Sequence, residues 1–204
     1  IVTGRNHHSN GMAAITELAS GYPGYNGVIP FENAFLSEML TGAFGVDAYT
    51  VQAWLQPNLS TIGGDPQVLW SRLSSEGFER LSIDQTGALT FQVQQAGGNP
   101  SVTSDVTLPS QAWSHVSAVR QANSLTLYVD GKPCGTIGGA PKPVAASRFV
   151  VAGNDGQGYL IQFGVNELRV WSRALGGDEI AANLNAQLPA DAQGLQLRWP
   201  LSSD

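Results

Sequence analysis

A single cysteine, Cys134, rules out an internal disulfide and any cysteine-built zinc site in this chain of 204 residues. Charge is scarce as well. Asp, Glu, Lys and Arg make up 13% of the chain, against roughly 25% in ordinary soluble domains. The net charge of −6 leaves no basic face to displace counterions from nucleic acid, and it disfavours an anionic membrane surface for the same reason. No apolar run approaches the roughly 20 residues of a membrane-spanning helix, so no transmembrane segment is expected. The first residues, "IVTGRN", lack a basic-then-apolar leader; a leader is expected to be either absent or already removed. No Gly-rich string completes a P-loop or a dinucleotide fingerprint.

What is present points to strands. The chain is 42% hydrophobic, with five Trp and seven Phe to fill a core and 24 Gly to make turns. After a polar opening, "IVTGRNHHSNG", alternating segments follow: "AYTVQAWLQP" (48–57), "QVLWSRL" (67–73), "FERLSID" and "ALTFQVQQ" across "DQTG", and "WSHVSAVR" (113–120). "SLTLYVD" then runs into "GKPCG", where Asp130-Gly131 supplies the positive φ values of a tight hairpin turn. "SRFVVAG", "YLIQFGVNELRVWSR" and "GLQLRWPL" (194–201) complete the series. Turn signals every 8–12 residues predict an all-β, antiparallel two-sheet sandwich. Two short helices interrupt it. One spans "GGDEIAANLNAQL", with Asp178 as N-cap and Ile180, Leu184 and Leu188 on one stripe; the other spans 31–42, with Phe31, Phe35 and Met39 four apart. Residues 1–26 read as a polar arm and lead-in, and 27–204 as the sandwich.

Five stretches, "YTVQAWLQP", "WSHVSAVR", "LTLYVDGKP", "GVNELRVWSRALGGDEI" and "GLQLRWPL", occur in an order that resembles the laminin G-like, concanavalin A-like jelly-roll superfamily, which includes the pentraxins. The resemblance covers roughly residues 45–201 and implies two packed antiparallel sheets of six or seven strands each. It implies a module that binds glycans, proteins or lipid headgroups, often with calcium at a rim of loops. It also implies structural packing for Trp54, Trp113 and Trp171, and a structural role for His115.

Catalysis finds little support in the residues. Glycosidases on this scaffold place two carboxylates on one strand face, normally as Glu-x-Asp-x-x-Glu, and no such string exists here. Glu76, Glu79 and Asp84 are spaced by three and five, which puts them on opposite faces of a strand. "IVTG" resembles the freed end of trypsin-like proteases, but no Gly-Asp-Ser-Gly string accompanies it. His7 and His8 read as part of the polar arm.

The candidate binding residues are in loops. "AGNDGQGY" (152–159) offers Asn154, Asp155 and Tyr159, and "STIGGDP" (60–66) offers Asp65. Asn154, Asp155 and Asp65 are the candidate calcium ligands, since oxygen donors suit a hard cation, although six or more oxygens are needed. The resemblance implies a further acidic ligand where this chain has Gly164. Tyr159, Tyr22 and Tyr25 stand in Gly- and Pro-rich context, where an aromatic face is open to a sugar ring. Asn58-Leu59-Ser60 is a glycosylation sequon. The expected function is a non-catalytic recognition module for carbohydrate, extracellular or at a cell surface. The alternatives are a protein-interaction domain of a larger toxin or adhesin, and a polysaccharide-degrading enzyme.

Overall fold

The computed structural model describes residues 47–143, 148–151, 163–189 and 191–199. The expected arm over 1–26, the helix expected over 31–42 and the loop carrying Asn154, Asp155 and Tyr159 lie outside the described residues.

The strands run β1 (Tyr49–Pro57), β2 (Gln67–Ser74), β3 (Gly77–Ile83), β4 (Ala88–Gln95), β5 (Ser101–Thr107), β6 (Ser114–Gln121), β7 (Ser124–Val129) and β8 (Lys132–Gly138). After them come β9 (Arg148–Val151), β10 (Phe163–Trp171), helix α1 (Gly177–Asn183) and β11 (Leu195–Trp199). They form a six-stranded sheet ordered β11-β10-β1-β6-β7-β8 and a five-stranded sheet ordered β5-β4-β3-β2-β9. Every pairing is antiparallel. The expected jelly-roll sandwich is therefore present, with five rather than six or seven strands in the second sheet among the described residues.

Alternation along the central strands builds the core. Tyr49, Val51, Ala53 and Leu55 of β1 face inward with Val116 and Ala118 of β6, opposite Trp70, Leu81, Leu89, Phe91 and Val93. Trp70 anchors this interior, with its ring 5.5 Å from Phe91, 5.8 Å from Phe149 and 6.4 Å from Tyr49. An ion cluster joins the sheets within it. The Glu79 carboxylate accepts from Arg72 Nη1 at 3.0 Å, from Arg120 Nε at 3.2 Å and from the Tyr49 hydroxyl. Arg120 also donates to the carbonyls of Gln121 and Pro141. Burial, and then the Glu79 charge, push the Tyr49 phenol well above its ordinary pKa.

The outer face of the six-stranded sheet is covered too. Trp171, Val119, Leu175 and Ile180 form a second buried cluster, with Tyr128 and Leu188 packed against it. Polar bonds fix the cover: Trp171 Nε1 donates to Gln52 Oε1 (2.8 Å), Leu175 N to Thr50 Oγ1 (3.0 Å) and Trp54 Nε1 to the Leu184 carbonyl (3.3 Å). α1 is capped by Gly176, not by Asp178; Asp178 and Glu179 sit in its first turn, where their charge suits the helix dipole. It ends at Asn183, so Ile180 alone of the predicted stripe is inside it, and Leu188 packs from beyond the helix. The β7–β8 turn holds the other side of α1. Asp130 (φ 48°) and Gly131 (φ 77°) are both left-handed, and a Cβ at Gly131 would lie 3.1 Å from Ala181 Cα. Asp130 Oδ1 accepts from His115 N at 2.8 Å, so this carboxylate finishes a turn.

Candidate functional site

Trp113 immediately precedes β6 and alternates onto the same face as His115, yet the two meet different surroundings. His115 is 1% exposed and sits beneath the cover, its ring 5.4 Å from that of Trp54, whereas Trp113 is 46% exposed. The expectation that Trp113 packs in the core is thus corrected. Cover over this face reaches Trp54 and His115, and Trp113 lies one step further along the strand, beyond it.

The indole lies on a glycine. A Cβ built at Gly164 would come within 2.9 Å of Trp113 Cη2, so this placement of the ring requires a residue without a side chain. Gly164 pairs with Gln56 across β10 and β1, and both line a cleft of about 340 Å3 together with Asn58, Gln111 and Phe163. Gln111, at φ 59°, shapes the cleft wall: its N–H donates to the Pro57 carbonyl (2.7 Å) and its carbonyl accepts from Gln56 Nε2 (3.0 Å). Asn58 Oδ1 accepts from Ser60 Oγ at 2.7 Å. Among the described residues Gln56 Oε1, Asn58 Nδ2 and the Gln111 side-chain amide have no hydrogen-bond partner, next to an exposed indole.

Asp65 stands elsewhere. It is exposed beside a second depression, of about 430 Å3, on the outer face of the five-stranded sheet, and the two hollows share no lining residue. Pro57, where β1 ends, pairs with Phe163, where β10 begins, and Trp70 of β2 pairs with Val151, where β9 ends. Among the described residues no three His, Cys, Asp or Glu side chains come together, and Asp65 by itself does not make an oxygen cage for calcium. A carboxylate at position 164, as in the resemblance, would collide with Trp113 as it stands.

His115, Cys134, Glu79 and Asp84 belong to the scaffold. Burial, then the Arg169 charge, pull the His115 imidazole down to about 4, and its Nδ1 has no hydrogen-bond partner. Burial pushes the Cys134 thiol up to about 11, which removes it as a nucleophile. Glu79 is held in the core, Glu76 is exposed at the β2–β3 turn, and Asp84 closes the β3–β4 turn by accepting from Thr86 and Ala88 N–H groups.

Residues 35–181 match the Laminin_G_3 model of the concanavalin A-like lectin/glucanases superfamily. No curated protein matches the sequence. Among solved structures the chain is similar to the native heptameric SAP-like pentraxin of Limulus polyphemus, with 20% identity, a TM-score of 0.54, and coverage of 72% of this chain and 76% of that one. It is also similar to a candidate carbohydrate-binding protein from Bacteroides ovatus, with 18% identity, a TM-score of 0.58, and coverage of 76% and 46%. A third is botulinum neurotoxin type C, whose cell entry depends on interaction with two ganglioside molecules: 13% identity, TM-score 0.55, coverage 72% and 38%. This chain therefore spans less than half of the latter two, and at these identities the likeness is one of fold. With its two antiparallel sheets and the matched segment, the chain belongs to the concanavalin A-like lectin/glucanase superfamily.

Proposed function

We propose that this domain is a non-catalytic recognition module that binds a glycan at the Trp113 cleft, outside cells or at a cell surface. The observation that carries this reading is an exposed indole laid on Gly164 beside three side-chain amides, those of Gln56, Asn58 and Gln111, that keep polar atoms open to a ligand. A sugar ring offers an apolar face for the indole and hydroxyls for the amides, which is the complement of that arrangement. Among the described residues, the exposed large hydrophobics are Trp113 and Val106, far from the broad apolar patch that a protein partner requires. Among the described residues the cleft carries no carboxylate and the Asp65 depression carries one, whereas glycoside hydrolysis needs two. The pentraxin and the Bacteroides protein add support by their shared fold. Calcium at Asn154, Asp155 and Asp65 is a second reading, favoured by the oxygen donors these residues offer a hard cation and by the pairing of the described strand ends Pro57–Phe163 and Trp70–Val151.

The test is a glycan array probed with the intact chain and with Trp113→Ala, each with calcium and with a chelator. Selective binding by the intact chain that falls at least about tenfold in the variant is expected. Retention of full binding by Trp113→Ala overturns the site, and an absence of glycan binding overturns the reading in favour of a protein partner. Loss on chelation assigns calcium to the recognition; survival removes it.

A further inference from the structure

The second depression carries its own chemistry. On the outer face of the five-stranded sheet, Arg80 Nε and Nη2 both donate to Gln92 Oε1, at 3.3 and 3.2 Å. The guanidinium lies 4.5 Å over the Phe78 ring, which holds it flat against the sheet. Among the described residues its Nη1 has no hydrogen-bond acceptor and no carboxylate pairs with it, unlike Arg72, Arg120, Arg169, Arg173 and Arg198. Asp65 lines the same hollow of about 430 Å3 and also makes no ion pair among the described residues. In a chain this poor in charge, an opposite pair shares one depression without touching. Ser82, Thr90 and Gln92 floor the space between them with hydroxyls and an amide.

We infer that this face is a binding site for an acidic saccharide, separate from the Trp113 cleft. A sugar carboxylate or sulfate ester accepts from Arg80 Nη1, and a neighbouring sugar hydroxyl donates to Asp65. Either requirement alone is too weak to define the ligand. A bare anion would be repelled by Asp65, and a neutral sugar would leave Arg80 without its counter-charge. A molecule bearing both an acid and hydroxyls satisfies both groups.

The experiment titrates the intact chain at low salt with glucuronic acid, glucose 6-sulfate, glucose and inorganic sulfate, followed by NMR or calorimetry. At least one acidic sugar is expected to bind roughly tenfold tighter than glucose, the effect of one charge-assisted hydrogen bond. Comparing the two acidic sugars identifies whether the acid is a carboxylate or a sulfate ester. Arg80→Gln should erase that preference, Arg80→Lys should keep part of it, and Trp113→Ala should leave the Arg80-dependent part of it unchanged. No preference for the acid, or a preference that survives Arg80→Gln, overturns the site. Inorganic sulfate binding as tightly as the acidic sugars overturns the saccharide class. Because Trp113→Ala is silent here, failure of this site and failure of the Trp113 cleft are read separately.

Discussion

Glu79 lies between Arg72 and Arg120, with the Tyr49 hydroxyl donating to it, so its oxygens are occupied by groups from both sheets. All four residues are at most 4% exposed. Removing the carboxylate takes the shared counter-charge from two guanidinium groups in the core, and this is far costlier than never having buried them. Glu79→Gln is expected to lower stability by about 3–5 kcal/mol, read as a fall in the urea midpoint with an unchanged slope. A loss under about 1 kcal/mol would show that water or rearrangement takes over its role. Trp113 is the opposite case. It is a residue type that usually fills cores, left half-exposed, and truncating it should affect binding with little effect on stability.

At the level of elements, the end of β10 against β1 decides the presentation of the indole. Gly164 faces Gln56 across the ladder and supplies the space over which Trp113 lies. Gly164 is not among the left-handed glycines, so an alanine there meets a side chain and not a backbone constraint. Gly164→Ala is therefore expected to shift the ring and weaken glycan binding severalfold, while the melting temperature stays within a few degrees of the parent. Unchanged binding would mean that the ring's position is not what the ligand reads. Strand β5 shows what periodicity misses. In "SVTSDVT" only Val102 and Ser104 are buried, so an edge strand of the sandwich reads as a polar loop.

For the whole molecule, acid should act first through His115. Its folded-state pKa is about 4, below the ordinary value near 6.5, so the unfolded chain takes up a proton before the folded one does. Stability is then fully present above pH 6.5 and is lost as the pH falls toward 4, by on the order of 3 kcal/mol. Urea midpoints between pH 7 and 4.5 measure it, and His115→Gln should flatten that slope; an equal slope in the variant would locate the proton elsewhere. Glu167 and Glu179, held low mainly by hydrogen bonds from Arg198 and Arg173, add their smaller, partly solvent-screened losses at lower pH. The sequence alone determined the antiparallel sandwich, nearly all its described strands, the Asp130-Gly131 turn and the helix near the C-terminal end, because period-two alternation and turn chemistry act over a few residues. It placed Trp54 and Trp171 correctly in packed surroundings, and it separated Glu79 from a catalytic pair. Only the tertiary structure decided which tryptophan stays open and which charges share a hollow. Trp113 and His115 carry the same alternation, and what distinguishes them is how far a segment some 70 residues later, α1 and its flanks, extends over β6. Likewise Asp65 and Arg80 line one hollow because the loop before β2 opens onto the outer face of β3. A strand's own pattern records that a face is covered or bare on average; it does not record where distant cover stops.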